Sequence, residues 1–282
     1  MRKGSYAFLL GLFAVVIGVA GAALAQAPPD QEEVWRSFMA WYQATAVREA
    51  NPTRGYLLNL QNKGVPRPEI ERQANIIASL FFDRPEAVEI YYDWTFARPV
   101  TGNPARDGFN SSPSAMLVDA VKETKPGTAL DAGMGQGRNA VYLAQKGWSV
   151  TGFDISNTAV SAASSNAEKA GVRIDAIKAG HETFDFGEAK WDLIVLTFAW
   201  APVTDPAFVE KLGRSLRPGG RIVFEHFLDT PEHARPVARV PKPGQLRTIF
   251  AKFVIDSYEE TEGTGDWGGP GSQLVRMMAR KP

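Results

Sequence analysis

Apolar residues follow two different periods along this chain, and the change between them falls near residue 115. Upstream, over residues 31 to about 95, they recur at helical spacing. Downstream, short apolar runs alternate with helical patterns, as in parallel strands covered by helices on both faces. The runs that predict strands are Thr128–Asp131, Ser149–Asp154, Arg173–Ala176, Asp192–Thr197, Arg221–His226, Phe253–Thr261 and Leu274–Arg280.

Helical patterns lie between most of these strands, at Arg138–Lys146, Thr158–Ala170 and Phe208–Leu216. The last two strands instead flank a glycine-rich loop, Gly263–Gly271, and therefore predict an antiparallel hairpin. Together the elements predict an α/β domain with a doubly wound seven-stranded sheet that this C-terminal hairpin closes. In such sheets ligands bind at the carboxyl ends of the strands, where the strand order reverses.

The upstream segment predicts a small helical unit followed by a loop. Apolar side chains recur at helical spacing over Gln31–Arg48 and again around Ile70–Phe81. A third helix is predicted over Asp83–Tyr92. Proline, glycine, asparagine and serine are frequent in Arg98–Ser114, which favours a loop. The predicted parts are a helical lead-in and loop over residues 31–110 and an α/β domain over residues 115–282.

The N-terminus has the pattern of a targeting segment. Arg2 and Lys3 precede an uncharged run, Gly4–Ala25, which ends in a small-x-small sequence. This order is typical of a secretory signal peptide that is cleaved after residue 25. An uncleaved membrane anchor is the alternative, since about 20 apolar residues suffice to span a bilayer. Either reading places the following domain in the periplasm or outside the cell, and only the uncleaved form contacts a membrane, through residues 4–25.

Composition excludes several kinds of function. The 282-residue chain has no cysteine, which excludes disulfides, thiolate metal sites and cysteine nucleophiles. Lys plus Arg and Asp plus Glu both number 31, so the chain lacks the basic charge that nucleic-acid binding usually needs. A metal site would require His181, His226 and His233 to converge with nearby acids. We therefore expect neither a metal nor a nucleic-acid partner.

One stretch, residues 130–139 with the sequence LDAGMGQGRN, combines a strand end, a glycine-rich turn and a helix start. Gly133, Gly135 and Gly137 permit a tight turn and close approach of the backbone to a ligand, and the helix amides beyond can meet an anionic group. A second strand ends in Asp154. A carboxylate there is placed to accept hydrogen bonds from a ribose diol. The order of these features predicts a nucleotide-like cofactor.

Two cofactor classes share this logic, but a dinucleotide site would have the glycine order G-x-G-x-x-G. Here Asp131–Gly137 carries an acid and then glycines at every second place. This run resembles the first motif of class I S-adenosylmethionine-dependent methyltransferases, and Asp154 resembles that family's acid after the second strand. Leu216–Ile222, LRPGGRI, resembles the turn before the family's fifth strand. The resemblance covers residues 115 to 282 and implies a Rossmann-like fold with S-adenosylmethionine as cofactor.

Residues 135–148, GQGRNAVYLAQKGW, are most similar to the small-molecule branch of the family, which includes tellurite-resistance and thiopurine methyltransferases. The resemblance also implies individual roles. Asp131 would lie near the cofactor ammonium, Asp154 would hold the ribose hydroxyls, and Ile155 would flank the adenine. Glu182, after the third strand, would meet the adenine edge. The residues expected to bind the cofactor are Asp131, Ala132, Gly133, Met134, Gly135, Gly137, Asp154, Ile155, Glu182, Thr183 and Thr197.

Methyl transfer needs alignment of the acceptor with the methyl group rather than a catalytic triad, and alignment alone can contribute about 7–11 kcal/mol. The segment Thr197–Trp200, TFAW, stands where the resemblance would place an Asn/Asp-Pro-Pro-aromatic motif in enzymes that methylate amino groups of adenine or glutamine. This departure argues against DNA bases and favours a small-molecule acceptor. No catalytic residue is assigned, and the candidates are Tyr92, Trp200 and His226.

Two other functions remain compatible with the sequence. An exported, non-catalytic nucleoside- or cofactor-binding protein would agree with the targeting segment, because S-adenosylmethionine is made in the cytoplasm. An NAD-dependent oxidoreductase is the weaker alternative, since the glycine spacing departs from the dinucleotide pattern.

Overall fold

The computed structural model describes residues 30–45, 52–97, 110–231, 239–265 and 269–282. These residues form two compact units, and the boundary between the units falls between Thr95 and Phe96. The predicted targeting segment, residues 1–25, lies outside the described residues. Among the helices that are described, none has the combination of length and apolar character that crossing a bilayer requires.

The first unit consists of helices that meet in an aromatic core. Phe38 is fully buried at its centre and packs on Tyr42, Tyr56 and Phe81, with ring centroids 5.5–6.1 Å apart. The apolar spacing after residue 30 therefore does produce the predicted buried helix face. The helices are α1 (Gln31–Ala44), α2 (Pro52–Asn62), α3 (Arg67–Leu80), a 3₁₀ turn (Phe81–Asp83) and α4 (Pro85–Ala97).

Two helical boundaries differ from the prediction. Helix α1 ends at Ala44, four residues before the predicted end, because Thr45 is already extended. Helix α4 continues five residues beyond Tyr92, and the hydroxyl of Thr95 donates back to the Tyr91 carbonyl within it. Helix α2 was not predicted.

The second unit is a seven-stranded sheet in the order β3-β2-β1-β4-β5-β7-β6. The strands β1 to β5 run parallel, β7 pairs antiparallel with β5, and β6 pairs antiparallel with β7. The predicted fold class is thereby confirmed. The elements in chain order are α5 (Ala115–Val121), β1 (Thr128–Ala132), α6 (Arg138–Gln145), β2 (Ser149–Asp154), α7 (Asn157–Lys169), β3 (Asp175–Lys178), β4 (Trp191–Thr197), α8 (Pro206–Ser215), β5 (Leu216–Phe227), α9 (Gln245–Ile249), β6 (Val254–Gly265) and β7 (Gly269–Arg280).

Strand β4 shows how the sheet is buried on both faces. Leu193 and Val195 point into a core layer with α5 and α6, whereas Ile194 and Leu196 point into a layer with α8 and α9. Successive side chains of a strand face opposite sides, so a continuous apolar run fits this central position. The sheet is thus a rigid platform whose carboxyl edge presents the loops.

Several strand boundaries also differ from the prediction, most of all the starts of β5, at Leu216 rather than Arg221, and of β7, at Gly269 rather than Leu274. Strand β3 begins at Asp175 rather than Arg173, because its pairing starts where Asp175 meets Thr151 of β2. The glycines of the predicted C-terminal loop largely continue the hairpin, since Gly263 pairs with Ser272 and Gly265 pairs with Gly269. Strand β6 forms an edge of the sheet, and its exposed side chains include four acids: Asp256, Glu259, Glu260 and Glu262.

Candidate functional site

The strand order reverses at β1, which pairs with β2 on one side and with β4 on the other. The carboxyl ends of these three strands therefore meet at one edge, the usual position of a ligand crevice in such sheets. They carry three of the predicted site residues: Asp131 in β1, Asp154 at the end of β2 and Thr197 at the end of β4. The structure thus brings the predicted cofactor residues of these strands together.

The turn after β1 is held by backbone hydrogen bonds. The amides of Gly133 and Met134 both donate to the Phe153 carbonyl at 2.9 Å, and the Gly137 amide donates to the Met134 carbonyl at 2.9 Å. The glycines at 133, 135 and 137 all have positive φ, at 74°, 54° and 82°. This left-handed backbone explains why glycine recurs at every second position.

Two of these glycines are also required by packing within the protein. A Cβ on Gly133 would lie 2.8 Å from the Cβ of Ala199, and a Cβ on Gly137 would lie 2.9 Å from the Cβ of Ala163. Ala132 is fully buried and Met134 packs against Gly152 inside the domain. The glycine spacing therefore reflects close packing of the turn on the post-β4 segment and on α7, as well as any ligand approach.

Asp131 is the most perturbed acid of the site. Burial raises the pKa of its carboxyl to about 7, while the Arg138 charge and the Ala140 amide act in the opposite direction. Its Oδ2 is buried and has no hydrogen-bond partner among the described residues. A buried carboxylate oxygen that lacks a donor is a place for a cation or an N–H group. This observation fits the predicted contact of Asp131 with the ammonium of an S-adenosylmethionine molecule.

Asp154 fastens the turn to the end of β2. Its Oδ2 accepts the Gly135 amide at 2.9 Å and its Oδ1 accepts the Ser156 amide at 2.9 Å. Each carboxylate oxygen has a second lone pair, so the side chain can still accept hydroxyl groups of a ribose. The neighbouring Ile155 is half-buried, with its Cδ1 directed toward Gly180.

Glu182 and Thr183 lie on the turn after β3 and are exposed. Glu182 Oε1 accepts a hydrogen bond from Arg239 Nη2 at 2.7 Å. Although burial works to raise the pKa of Glu182, the hydrogen bond and charge of Arg239 prevail and hold it below its usual value. The hydroxyl of Thr183 accepts the Gly180 amide at 3.0 Å, so it closes the turn. Both predicted residues thus make structural contacts of their own.

Thr197 is joined to a buried polar network that connects five elements. Asn139 donates from Nδ2 to the Thr197 hydroxyl at 2.8 Å and accepts the Ser114 amide at Oδ1, 2.9 Å away. The Ser114 hydroxyl donates to Glu225 Oε2 at 2.9 Å, and Arg276 Nε donates to Glu225 Oε1 at 2.8 Å. This network ties the start of α5 to the ends of β4 and β5.

The segment after β4 has an unusual backbone. Phe198 and Trp200 both adopt positive φ, at 53° and 50°. The ring of Trp200 packs edge-on against His226, with centroids 4.9 Å apart, and His226 is buried on β5. Two of the three catalytic candidates are therefore neighbours at the carboxyl edge. The third, Tyr92, lies on α4 and packs on Tyr91.

Sequence reasoning missed Asn139 and Arg239 and treated Ser114 as part of a loop. Asn139 is four residues before the buried Leu143, so its position on the inner face of α6 was detectable from spacing. Arg239 gave no such signal, because its partners lie 57 and 39 positions away in the chain. Among the described residues, no cluster of three or more histidines or acids could hold a metal ion, and His233 lies outside them.

Comparison with known proteins agrees with this fold. Residues 129–220 match the family model described as a methyltransferase domain. The solved structure of magnesium protoporphyrin IX methyltransferase from Synechocystis PCC 6803, determined with bound S-adenosylhomocysteine, superposes with a TM-score of 0.54 at 19% identity, covering 70% of this chain and 99% of that chain. Residues 129–220 therefore match a methyltransferase domain, in agreement with the resemblance of the sequence motifs to class I S-adenosylmethionine-dependent methyltransferases, and the superposition shows the same fold.

Among curated proteins, the probable S-adenosyl-L-methionine-dependent methyltransferase TehB of Haemophilus influenzae is 36% identical over 145 residues, covering 50% of this chain and 48% of that protein. Hemagglutinin 1 of Eikenella corrodens is 31% identical over 190 residues, covering 63% and 62%. The chain thus spans about half to three-fifths of the length of these relatives. Because the relatives also include a ribosomal RNA methyltransferase, similarity alone does not define the acceptor.

Proposed function

We propose that this chain transfers a methyl group from S-adenosylmethionine to a small-molecule acceptor. The observation that carries the methyl-donor half of the proposal is Asp131, whose buried Oδ2 has no partner in the described part of the chain and lies beside a left-handed glycine turn. When bound, S-adenosylmethionine supplies an electrophilic methyl group on a sulfonium. Asp131 would hold the ammonium of the donor, and Asp154 would accept its ribose hydroxyls while it keeps the turn in place.

The acceptor half rests on the segment after β4. Phe198 and Phe227 pack at 5.2 Å in a small apolar cluster, and Trp200 covers part of it beside His226. These apolar walls would exclude water and align an uncharged acceptor, which is the main requirement for in-line displacement. These features support a small, largely apolar acceptor rather than a nucleic acid.

The donor site is tested by calorimetric titration of the purified chain with S-adenosylhomocysteine, with NAD as the control ligand. We expect micromolar binding of S-adenosylhomocysteine and none of NAD. Asp131→Asn keeps the shape of the side chain but removes its charge, so we expect at least tenfold weaker binding at pH 8. If the wild-type chain folds but does not bind S-adenosylhomocysteine, the methyltransferase proposal is wrong.

The acceptor class is tested with S-adenosylmethionine labelled in the methyl group. The chain is incubated with RNA, with DNA and with small phenols, thiols and amines. The label is counted in acid-precipitated nucleic acid and in small-molecule products that are separated from unreacted S-adenosylmethionine by chromatography. We expect label in the small-molecule products only. Label in precipitated RNA or DNA would show that the small-molecule assignment is wrong.

We also propose that the chain is exported and cleaved after Ala25, on the strength of its N-terminal sequence pattern. Mass spectrometry of the chain from fractionated cells should find Gln26 as the first residue, outside the cytoplasm. An intact Met1 in the membrane fraction would support the anchored alternative. An exported chain that binds S-adenosylhomocysteine but labels no acceptor would instead be the non-catalytic binding protein.

A further inference from the structure

The left-handed conformation of Phe198 and Trp200 needs a structural cause. Among the described residues, Ala189 is the only other non-glycine residue with positive φ. This conformation is unfavourable for a residue with a side chain and persists only where the surroundings hold it, often at active sites. Phe198 and Trp200 flank Ala199, and both are left-handed. The segment Phe198–Trp200 is therefore held in place by the residues that surround it.

Each residue of this segment is bonded to a different part of the domain. The Phe198 amide donates to the Glu225 carbonyl of β5 at 2.8 Å. The Ala199 carbonyl lies 2.9 Å from Nε2 of His181, on the turn after β3. The Trp200 carbonyl accepts from Nη1 of Arg239, before α9, at 3.3 Å. The first contact belongs to the sheet, whereas the other two come from side chains of loops.

His181 is positioned to donate a hydrogen bond to the Ala199 carbonyl. It is buried between Phe153 and Phe208, with ring centroids 5.2 and 5.9 Å away. Burial lowers the pKa of its imidazole to about 4, although the hydrogen bond to Ala199 acts the other way, so the ring is neutral at pH 7. A carbonyl accepts only from a protonated nitrogen, so the single proton is on Nε2. Its Nδ1 has no partner among the described residues.

Arg239 connects the two sides of the site. One arm of its guanidinium donates to Glu182, which the family resemblance places at the adenine edge, and the other donates to the Trp200 carbonyl. A planar fork with fixed donors can hold two acceptors in a defined relation, which lysine cannot do. The side chain is largely covered, at 15% exposure, so these bonds are shielded from water.

We propose that His181 and Arg239 are positioning residues for methyl transfer, which hold the strained segment Phe198–Trp200 through the carbonyls of Ala199 and Trp200. The inference rests on the proposed function. The segment also packs on Gly133 through Ala199. A displaced Ala199 would therefore move Trp200 relative to the glycine-rich turn after β1, which is proposed to bind the methyl donor. Loss of either side chain should slow turnover while donor affinity is retained, because the turn keeps its own bonds to Phe153.

The test is amide hydrogen exchange of the peptide spanning residues 197–203, measured in the full chain by mass spectrometry. His181→Phe retains an aromatic ring between Phe153 and Phe208 but removes the hydrogen-bond donor to the Ala199 carbonyl. Amide exchange of the peptide should be at least tenfold faster in this variant. His181→Gln restores a nitrogen donor at similar reach and should bring exchange back toward wild type. Both variants should bind S-adenosylhomocysteine within about threefold of wild type by calorimetry. Wild-type exchange in a folded His181→Phe variant would overturn the role of His181.

Arg239 gives an independent test that does not disturb the core. Arg239→Gln should speed exchange of the same peptide, whereas Glu182→Gln, which removes only the ion pair, should not. Equal exchange in these two variants would overturn the role of Arg239. This comparison remains decisive if His181→Phe does not fold. Failure of wild-type S-adenosylhomocysteine binding would reject the proposed function, and the exchange results would still report on the segment. With an acceptor in hand, kcat should fall and KM for the donor should stay unchanged.

Discussion

The methyl group of Ala199 occupies the space that a side chain on Gly133 would need. The two residues lie on the turns after β4 and β1, and a Cβ added at position 133 would approach that of Ala199 to 2.8 Å. The glycine-rich turn after β1 and the segment Phe198–Trp200 are therefore in direct contact. Their relative position is set by backbone packing, which makes the site rigid before any ligand binds.

This contact predicts a stability loss for Gly133→Ala. A left-handed alanine costs about 1–2 kcal/mol, and an overpacked methyl adds about 1–3 kcal/mol. Gly171→Ala is the matched control, because Gly171 has φ of 70° and open space around its Cα. Urea unfolding should show a loss of about 2–5 kcal/mol for Gly133→Ala and about 1–2 kcal/mol for the control. Equal losses of unfolding free energy in the two variants would mean that Ala199 shifts to accommodate the added methyl group.

Donor binding should weaken as the pH falls below about 7. The pKa of Asp131 is raised to about 7 by burial, and only the ionised carboxylate can pair with an ammonium. Calorimetric Kd values for S-adenosylhomocysteine at pH 8, 7, 6 and 5.5 should rise toward about tenfold per pH unit on the acid side. A Kd that stays constant over this range would show that Asp131 is ionised in the free protein.

At high pH, the Asp131 carboxyl should also lower the free energy of unfolding of the protein. Its folded pKa lies above the unfolded value near 3.8, so its stabilising contribution is complete below about pH 3.8 and is lost as the pH rises through about 7. Asp131→Asn should therefore melt at a higher temperature than wild type at pH 8, and the difference should shrink toward pH 5. A variant that is less stable than wild type at pH 8 would contradict this account.

The network around Asn139 should act as a cooperative unit. Asn139→Ala leaves the Ser114 amide and the Thr197 hydroxyl without their partner in a buried place, which should cost about 1–3 kcal/mol. In a double-mutant cycle with Thr197→Val, the coupling should be about 0.5–3 kcal/mol.

Asn166→Ala is the control for this cycle. Asn166 makes one exposed hydrogen bond to the Gln136 carbonyl at 3.0 Å, so its loss should change the free energy of unfolding by about 0.5 kcal/mol at most. Additive losses for Asn139 and Thr197 would show that their hydrogen bond contributes nothing of its own.

The strands and the donor turn were predictable because their signals are local. Thr128–Ala132 and Ser149–Asp154 are short strands with an acid at or next to the carboxyl end, and glycine fits the left-handed turn wherever φ is positive. Sequence assigned these glycines to ligand approach. The structure adds Ala199 and Ala163 as their neighbours, and such contacts between distant segments leave no trace in a single sequence.

The rest of the site depends on long-range pairing. His181 meets Ala199 across 18 positions, and Ser114 meets Glu225 across 111 positions. Whether Glu182 binds a ligand or an arginine could not be decided from its own surroundings in the chain. The start of β3 was misplaced for the same reason, because the partner strand and not the local sequence defines where pairing begins.

The edge strand β6 has a consequence for how copies of this protein behave at high concentration. The outer edge of this twelve-residue strand, which pairs with no other described strand, is a template for another strand, and two copies could extend one sheet across both molecules. Asp256, Glu259, Glu260 and Glu262 are exposed along this strand. Edge-to-edge association would bring the acids of one copy against those of the next. Repulsion between these carboxylates therefore disfavours edge-to-edge pairing and protects the sheet from aggregation.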